Sequence, residues 1–422
     1  MRVLVVGNGG REHALAWKIN QSPLVERVYS TRPNAGLLDC TEPLDISPTD
    51  VDGLVQASKD NDIGMVVVGP EAPLVSGLAD ALSEAQIPVV GPSAAAAHLE
   101  GSKAYSKALM AEIGVPTAEF ATFTVLDEGL AYLKEARHPL VVKASGLAAG
   151  KGVIICESLE ESEKALRGMM LEGDFGGAGA EVVVEEFLVG EEASLIALCS
   201  GEDALPLASS QDHKRLGDGD TGLNTGGMGA YSPAPILQGA ALESAMELSI
   251  RPILKALADA GTPFYGFLYA GLMLTEAGPR VLEYNVRLGD PETQAILPRI
   301  QGDLVPALLK VAKKESLAGI TLNWDPRSCV CIVAAAAGYP VSARKGDVIE
   351  GLEAFPTSGE TRVFHAGTAL QSGQVMTSGG RVLSVVALGN DIREAIEQAY
   401  AGIEKVHFSG MQIRRDIGAK AI

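Results

Sequence analysis

The first hundred residues alternate short apolar runs with helical patterns. The runs Val3–Val6, Met65–Val68 and Pro88–Val90 are each followed directly by a glycine. A strand, then a glycine, then a helix is typical of a parallel α/β sheet. Ligands of such sheets bind at the carboxyl ends of the strands, which is where these glycines lie. The pattern therefore predicts a parallel-sheet domain with a binding site along its glycine-bearing edge.

The pattern changes near residue 102. Ser102 is placed to cap a helix through Lys103–Ile113, which Gly114 and Pro116 would end. The predicted strands beyond it cover residues 120–123, 140–143, 153–156, 181–187, 193–199 and 271–282. The predicted helices lie near residues 126–136, after a capping box at 158–161, and near 241–258. From about residue 325, strand-like runs at 329–335 and 381–388 surround a helix near 392–403.

Composition and charge narrow the class of protein. A chain of 422 residues is too long for one core, so we expect about two to four domains, and 47% apolar residues are ample for burial. The formal charge of -19 argues against nucleic acid as a partner, because phosphates require a basic surface. No stretch approaches the roughly 20 apolar residues of a membrane span. The five cysteines include no Cys-x-x-Cys pair, so we expect a soluble intracellular protein of the reducing cytoplasm.

The most informative segment is Glu283–Gln294, which follows the strand-like run. Because alternate side chains of a strand share a face, Glu283, Asn285 and Arg287 would point the same way. Magnesium prefers oxygen ligands together with phosphate oxygens, and a guanidinium grips phosphate or carboxylate with two hydrogen bonds. The spacing predicts a site for nucleoside triphosphate chemistry. The alternative is a polar edge strand that faces solvent.

A glycine-rich turn follows the first strand, in the sequence Gly7-Asn-Gly-Gly-Arg-Glu12. It departs from the dinucleotide fingerprint, because Glu12 replaces the third glycine and no acidic residue ends the next strand. Free amides at a helix start, with Arg11 beside them, suit a single phosphate. A plain tight turn and an NAD site are the alternatives. Glu71, after Gly69-Pro70, is a candidate for ribose hydroxyls or for a helix cap.

Two further segments are candidates for nucleotide contacts. Lys143–Gly152 resembles a Walker A loop, but it is one residue short and leads into a strand rather than a helix. Such a glycine-rich hairpin can cover a triphosphate like a lid, with Lys143 supplying charge, although an ordinary hairpin is the alternative. In the run Glu185–Glu192, the backbone up to Leu188 could bond an adenine edge and Glu192 could accept ribose hydroxyls. A solvated acidic turn also fits that run.

A long polar loop rich in glycine covers residues 212–229. It begins Asp212-His-Lys-Arg215 and ends Asn224-Thr-Gly-Gly-Met-Gly229. Its length and mixed charge favour a segment that closes over substrate rather than an idle linker.

In order along the chain, these segments match one family of enzymes. From Met1 to the region of Arg414–Gly418, the chain resembles the phosphoribosylamine–glycine ligases (glycinamide ribonucleotide synthetases), ATP-grasp enzymes of de novo purine synthesis. The motifs that carry the resemblance are Gly7–Leu15, Gly69–Leu74, Gly150–Gly152, Gln211–Arg215, Asn224–Pro233 and Arg287–Gln294. The chain departs from the family pattern at Ser145 where Asp is usual, at Leu223 where proline is usual, and at Arg32-Pro33-Asn34, which alters the usual Pro-Gly-Asn-Ala-Gly.

The resemblance implies a multidomain protein of the α/β and α+β classes. Its three domains would be a Rossmann-like parallel-sheet domain that binds phosphoribosylamine (1–101), a central ATP-grasp domain (102–324) with a lid at about 116–190, and a carboxy-terminal mixed β/α domain (325–422).

The resemblance also implies a role for each candidate residue. ATP would contact Lys103, Lys143, Gly150, Lys151, Gly152, Glu185, Leu188 and Glu192. Phosphoribosylamine would contact Gly9, Gly10, Arg11, Glu12 and Glu71, and Mg²⁺ or Mn²⁺ would be held by Glu283 and Asn285. The catalytic candidates are Arg287, Lys143, Asp212 and Asp290, the last two for the glycine ammonium group.

The activity that the resemblance implies is the ATP-dependent ligation of glycine to 5-phosphoribosylamine through glycyl phosphate, which yields glycinamide ribonucleotide, ADP and phosphate. These small molecules would be its partners, with no nucleic acid and no membrane, and a monomer is expected. One alternative is an ATP-grasp ligase for another amine or carboxylate, and the other is a nucleotide- or NAD-binding protein without ligase activity. The Asp212–Arg215 and Asn224–Gly229 loops argue against the first, because they belong to the substrate side.

Overall fold

The computed structural model describes residues 1–148, 152–355 and 359–422. It begins with a parallel five-stranded sheet of order β3-β2-β1-β4-β5, so the direction of winding reverses between β1 and β4. The elements are β1 (Arg2–Val6), α1 (Gly10–Ile19), β2 (Arg27–Thr31), β3 (Glu42–Leu44), α2 (Val51–Asp60), β4 (Ile63–Val68), α3 (Glu71–Val75), α4 (Leu78–Glu84), β5 (Val89–Val90) and α5 (Ala94–Gly101). Gly7 and Gly69 follow β1 and β4 at the point of reversal, which confirms the predicted sheet.

The next segment forms an antiparallel sheet of order β6-β9-β7-β8, which we call the lid sheet. The elements of this segment are α6 (Lys103–Ile113), β6 (Phe120–Phe123), α7 (Leu126–Glu135), β7 (Leu140–Ala144), β8 (Val153–Cys156), α8 (Leu159–Arg167) and β9 (Val182–Glu186). Ser102 caps α6, because its Oγ accepts from Tyr105 N at 3.1 Å, and Gly114 ends the helix at a φ of 75°. The predicted bounds of this helix are therefore confirmed.

The central sheet carries the Glu283 motif and has the order β11-β10-β16-β17. The elements of this segment are β10 (Glu191–Ser200), β11 (Asp203–Pro206), β12 (Gln211–Asp212), β13 (Arg215–Gly217), β14 (Thr221–Asn224), β15 (Gly229–Ser232), α9 (Ala240–Ala245), α10 (Arg251–Asp259), β16 (Tyr265–Thr275) and β17 (Gly278–Asn285). The run 271–282, predicted as one strand, is instead part of a hairpin. Gly278 starts the second strand at a φ of 109°, which side-chain-bearing residues rarely adopt.

The carboxy-terminal sheet has the order β12-β15-β20-β24-β21. Its segment contains α11 (Glu292–Ile296), β18 (Ile300–Gln301), α12 (Val305–Ala312), β19 (Asn323–Trp324), β20 (Ser328–Ala335), β21 (Thr361–His365), β22 (Thr368–Gln371), β23 (Gln374–Thr377), β24 (Arg381–Gly389) and α13 (Ile392–Ile403). Tyr231 of β15 pairs with Val330 of β20. The 212–229 segment, predicted as a closing loop, is therefore fixed into this sheet at both ends, and its middle forms a β13–β14 hairpin.

Four of the five cysteines are buried, and Cys40 is partly exposed. Cys329 and Cys331 are fully buried on β20, and all five thiols of the chain are free. No described helix is long and apolar enough to cross a bilayer.

Candidate active site

A cavity of about 1000 Å³ lies between the lid sheet, β17, α6 and the first domain. One part of its wall is apolar and is formed by Val141, Ile155, Leu188, Met273 and Leu282. The rest of the wall is rich in ionisable groups. The sequence-predicted residues on it are Arg11, Glu71, Lys103, Lys143, Gly152, Glu185, Leu188, Glu192, Asp212, Glu283, Asn285, Arg287 and Asp290. Residues that are far apart in the sequence thus converge on one site.

Glu283 and Asn285 lie at the end of β17 and line the cavity. Burial acts to raise the pKa of Glu283, but Lys214, Lys143 and Lys103 outweigh it and hold that pKa below its ordinary value. An ionised carboxylate and an amide oxygen are hard donors that suit Mg²⁺. Among the described residues, no group of three or more His, Cys, Asp or Glu could hold a metal ion. The donor set therefore fits a metal whose remaining ligands are phosphate oxygens.

Arg287 is held by two carboxylates. Its Nη2 lies 2.9 Å from Glu100 Oε1, and its Nε lies 3.2 Å from Glu71 Oε2. Burial raises the pKa of Glu100 to about 7, against the opposing charge of Arg287. Glu100 was missed in the sequence, because nothing in the local pattern of α5 separates it from a surface glutamate. The pairing ties the first domain to the segment that follows β17.

Lys107 and Lys143 share one carboxylate oxygen. Both Nζ atoms lie 2.9 Å from Glu185 Oε2, while Glu185 Oε1 has no hydrogen-bond partner among the described residues. Burial lowers the pKa of Lys107 to about 8. Lys107 was also missed, although it lies four residues after Lys103 and so on the same face of α6. Glu185, predicted to act through its backbone at adenine, therefore has a side-chain role as well.

Ser145 anchors the lid hairpin to α6. Its Oγ accepts from Ala104 N at 3.1 Å and donates to Glu181 Oε2 at 2.9 Å. Lys103 Nζ donates to Gly146 O at 3.3 Å. The serine that replaces the family's usual aspartate thus takes part in a hydrogen-bond network at the base of the hairpin.

The tip of the same hairpin is only partly described. Gly152 lines the cavity, and a Cβ at this position would lie 2.7 Å from the Cβ of Ala148. Close packing within the hairpin therefore requires a glycine here. The predicted ATP contacts Gly150 and Lys151 lie outside the described residues.

An acidic patch, formed by Asp212, Glu192 and Glu292, lies on the cavity wall. Burial raises the pKa of Asp212 to about 7, and the charges of Glu292 and Glu192 add to the rise. Lys214 Nζ lies 2.6 Å from Glu192 Oε2, and Glu292 Oε1 accepts from Ser194 Oγ at 3.1 Å. Glu292 was not singled out in the sequence, because an acid in the first turn of a helix has an ordinary explanation. The patch suits an ammonium group.

The glycine-rich turn after β1 does not offer the free amides that we expected. Glu12 folds back on it, so that Oε2 accepts from Gly9 N at 2.6 Å and Oε1 lies 2.6 Å from Arg11 Nε. A Cβ on Gly69 would collide with Glu12 Oε1, so the carboxylate fills the space that a dinucleotide site leaves open. Arg11 lines the cavity, whereas Gly9, Gly10 and Glu12 lie outside its lining.

Asp290 joins three segments of the chain. Its Oδ2 accepts from Arg11 N at 3.3 Å, and its Oδ1 accepts from Gln294 Nε2 at 2.9 Å and lies 3.3 Å from Arg381 Nη1. Burial acts to raise the pKa of Asp290, but Arg381 and Arg11 hold it below its ordinary value. Both oxygens are engaged, so Asp212 is the better placed of the two predicted ligands for an ammonium group. Arg381 had no signal in the sequence, because a lone arginine before a strand is unremarkable.

Three family models match most of the chain. Residues 1–100 match the phosphoribosylglycinamide synthetase N domain, residues 101–293 its ATP-grasp (A) domain, and residues 329–420 its C domain. A curated phosphoribosylamine–glycine ligase from Vibrio parahaemolyticus is 51% identical over 425 residues, which cover 100% of this chain and 99% of the relative. The similarity therefore extends over the whole chain.

Solved structures share the architecture. The crystal structure of a phosphoribosylamine–glycine ligase from Thermotoga maritima has a TM-score of 0.85 and 34% identity, and the match covers 99% of this chain and 100% of that one. A biotin carboxylase–βγ-ATP complex from Campylobacter jejuni has a TM-score of 0.77 at 14% identity, over 99% of this chain and 94% of that one. The second likeness concerns the fold alone.

Proposed function

The chain belongs to the phosphoribosylglycinamide synthetase family, and from this premise we propose that it ligates glycine to 5-phosphoribosylamine at the expense of ATP. The products are glycinamide ribonucleotide, ADP and phosphate, in a step of purine synthesis. One observation carries the proposal: a single cavity combines an apolar wall, a donor set for a nucleotide-borne metal and an acidic patch. These features suit the base and phosphates of ATP and the ammonium group of an amino acid.

The chemistry requires activation of a carboxylate, because free glycine is a poor acyl donor. A carboxylate oxygen attacks the γ-phosphorus of ATP, the bond to the bridging oxygen breaks, and glycyl phosphate and ADP form. The amine nitrogen of phosphoribosylamine then attacks the carbonyl carbon. Phosphate leaves with the electrons of the carbon–oxygen bond, and the nitrogen releases a proton. The residues of the chain contribute by orienting the reactants and stabilising charge.

The nucleotide is proposed to lie beneath the lid sheet. Its base would occupy the apolar wall beside Leu188, with the backbone of Glu185 at the adenine edge and Glu192 at the ribose. Lys103 and Lys143 would face the phosphates, because both line the cavity at the start of the lid hairpin. Gly152, at the end of the lid hairpin, lines the cavity with them.

Glu283 and Asn285 are proposed to hold the metal, with Mg²⁺ as the first choice and Mn²⁺ as the second. A bound divalent ion neutralises the charge that builds on the phosphate oxygens. The lowered pKa of Glu283 supports this role, because it keeps the carboxylate ionised at neutral pH. Arg287 supplies a fixed cation beside these donors, since Glu71 and Glu100 orient its guanidinium.

The glycine ammonium group is proposed to bind Asp212, with Glu292 close by. Asp290 was the other candidate, and its oxygens are engaged by Arg11, Gln294 and Arg381. Water must be excluded once glycyl phosphate forms, because hydrolysis of this mixed anhydride would waste ATP. The hairpin at 145–152 is the proposed cover.

Phosphoribosylamine is proposed to bind at the glycine-bearing edge of the first sheet. Arg11 and Glu71 line the cavity there and are assigned direct contacts. Gly9, Gly10 and Glu12 lie behind this wall. We propose that they determine the shape of the turn and do not contact the substrate directly.

ADP release tests the proposal. We expect ADP to form only when ATP, glycine and freshly prepared phosphoribosylamine are all present, and alanine or serine not to replace glycine. Equal ADP release with other amino acids or other amines would favour a different ATP-grasp ligase. Tight binding of NADH in a fluorescence titration would favour the nucleotide-binding alternative, which the position of Glu12 argues against.

We further propose three domains, at residues 1–101, 102–324 and 325–422. The second domain contributes β12 and β15 to the sheet of the third. We also propose that the protein works as a monomer. The five free thiols support a reducing cytoplasm as its location. Sedimentation of the purified chain would test the monomer.

A further inference from the structure

We propose that Arg381 binds the 5′-phosphate of phosphoribosylamine. This inference rests on the proposed function and adds to it the residue by which the enzyme recognises the phosphate of its amine substrate. Arg381 starts β24 and lines the cavity, so the carboxy-terminal domain would contribute directly to substrate binding.

A phosphate group needs a cation whose hydrogen-bond donors are not already occupied. Most cations on the cavity wall are paired with carboxylates. The pairs are Lys107 and Lys143 with Glu185, Arg287 with Glu71 and Glu100, Arg11 with Glu12, Lys214 with Glu192, and Lys420 with Asp220. The turn after β1 is no substitute, because Glu12 occupies the amide of Gly9. Among the described residues, Lys103 and Arg215 line the cavity without such a pair, but Lys103 is assigned to the phosphates of ATP and Arg215 Nη1 donates to Gly222 O. A phosphate at this edge of the cavity therefore requires another donor.

The guanidinium of Arg381 is anchored at one end only. Its Nη1 donates to Gly226 O and to Asp290 O, both at 2.6 Å, and lies 3.3 Å from Asp290 Oδ1. Its Nε and Nη2 make no hydrogen bond to any residue that the structure describes. These two nitrogens form the side edge of a guanidinium, which matches two oxygens of a phosphate. Arg381 is thus oriented by the protein and keeps a bidentate edge for a ligand.

The position of Arg381 agrees with the proposed location of phosphoribosylamine. Asp290 contacts both Arg381 and Arg11, and a Cβ on Gly9 would lie 3.5 Å from Asp290 Oδ2. The carboxylate of Asp290 therefore connects Arg381 to the glycine-bearing edge of the first sheet. Gly226 packs on the guanidinium, since a Cβ there would lie 2.9 Å from Arg381 Cζ. The Asn224–Gly229 segment thus positions Arg381 rather than merely covering the substrate.

The sharpest test combines removal of the Arg381 guanidinium from the enzyme with removal of the 5′-phosphate from the ligand. Dissociation constants would be measured by calorimetry, with ADP and Mg²⁺ present, for glycinamide ribonucleotide and for its dephosphorylated riboside. In the unmodified enzyme the ribonucleotide should bind more tightly than the riboside. In Arg381→Gln this preference should fall on the order of 10- to 100-fold, as expected for the loss of one bidentate charged contact. Affinity for the riboside and KM for ATP should stay unchanged.

Two further variants separate binding from folding. Arg381→Lys keeps the charge without the bidentate edge and should lose part of the preference. Gly226→Ala keeps Arg381 but displaces its guanidinium, and because the group displaced is the end of a flexible side chain, the fold should be retained. It should also lose part of the preference. Arg393→Gln, an exposed change on α13 of the same domain, serves as the control and should bind as the unmodified enzyme does.

The outcomes distinguish this inference from the proposed function. An unmodified enzyme that binds neither compound, and releases no ADP when ATP, glycine and phosphoribosylamine are supplied, would contradict the proposed function itself. If the unmodified enzyme prefers the ribonucleotide and Arg381→Gln keeps that preference in full, Arg381 does not bind the phosphate. Equal weakening of both compounds in Arg381→Gln would also overturn the inference, because it would indicate a structural role.

Discussion

Arg287 donates a hydrogen bond of 2.9 Å from Nη2 to Oδ1 of Asn285. The guanidinium is itself fixed by Glu71 and Glu100, so the orientation of the Asn285 amide depends on residues of the first domain. An amide oxygen has two lone pairs and can accept this bond while it binds a metal. The proposed metal ligands, the fixed cation and the first domain are therefore joined by one hydrogen-bond network.

Loss of the Glu283 carboxylate tests the metal site. We expect Glu283→Ala to lower kcat on the order of 100-fold or more at saturating Mg²⁺, because a preorganised charge contact of the reaction is removed. Glu276→Ala, at an exposed position in the turn of the same hairpin, is the matched control and should keep full activity. Near-normal turnover of Glu283→Ala would refute the ligand assignment.

The buried lysine pair leads to a prediction about stability. Lys107→Met removes one of the two cations on Glu185 Oε2 and a 2.7 Å hydrogen bond to Thr117 Oγ1. We expect the free energy of unfolding to fall by about 2 kcal/mol, since a buried carboxylate loses a charged partner. Urea denaturation measures it. Lys255→Met, which breaks an exposed pair with Asp259, should cause no measurable change. Equal stability of the two variants would contradict a structural role for Lys107.

The pH dependence of glycine use tests the acidic patch. Asp212 has a pKa raised by burial to about 7, so it loses its charge as the pH falls through this value. If the carboxylate binds the glycine ammonium group, kcat/KM for glycine should be level above pH 7 and fall about tenfold per pH unit well below it.

Asp212→Asn supplies the control for this profile. The kcat/KM of this variant for glycine should be lower than that of the unmodified enzyme at pH 7 and above. It should also no longer fall as the pH is lowered below 7. Glu100 also has a pKa raised by burial to about 7 and is unchanged in this variant. A fall in kcat/KM that persists in Asp212→Asn would therefore point to Glu100 and against Asp212.

Ser145 and Glu181 should be coupled. Ser145→Asp introduces the residue usual in the family next to the Glu181 carboxylate, at a position that is 3% exposed. Ser145 Oγ lies 2.9 Å from Glu181 Oε2, so a carboxylate in its place would be repelled by that of Glu181. We therefore expect the free energy of unfolding to fall by about 1–3 kcal/mol. Adding Glu181→Gln should recover most of the loss, because an amide can donate to the new aspartate. A double-mutant cycle measures the coupling, and additive effects would contradict it.

Parts of the site could be predicted because their residues are neighbours in sequence. Glu283 and Asn285 lie on β17 and are spaced by the period of a strand, so their shared face follows from that spacing. Arg287 lies beyond the end of β17, and Glu71 and Glu100 fix its position at the cavity. The cap at Ser102 and the end at Gly114 likewise follow from local chemistry. Local rules were sufficient for the strand spacing, the cap and the end of the helix.

Other parts depend on contacts between segments that are distant in sequence. Glu100, Glu292 and Arg381 gain their roles only when α5, α11 and β24 meet at the cavity, and no pattern near them indicates this. The same is true of β15, which pairs with β20, and of β12, which pairs with β15. Their place in this sheet was not expected from a glycine-rich segment, because glycine disfavours strands. In the turn after β1, the expectation of free amides was wrong for Gly9 and Arg11, because the carboxylates of Glu12 and Asp290 accept from their N–H groups.

Transfer of an isotopic label tests directly whether glycine is activated as its acyl phosphate in this cavity. Glycine carrying oxygen-18 in both carboxylate positions would be converted with ATP and phosphoribosylamine, and the inorganic phosphate would be analysed by mass spectrometry. We expect one labelled oxygen in each phosphate released, because the bond from phosphorus to the glycine oxygen survives when the carbon–oxygen bond breaks. Unlabelled phosphate alongside a normal yield of glycinamide ribonucleotide would contradict it.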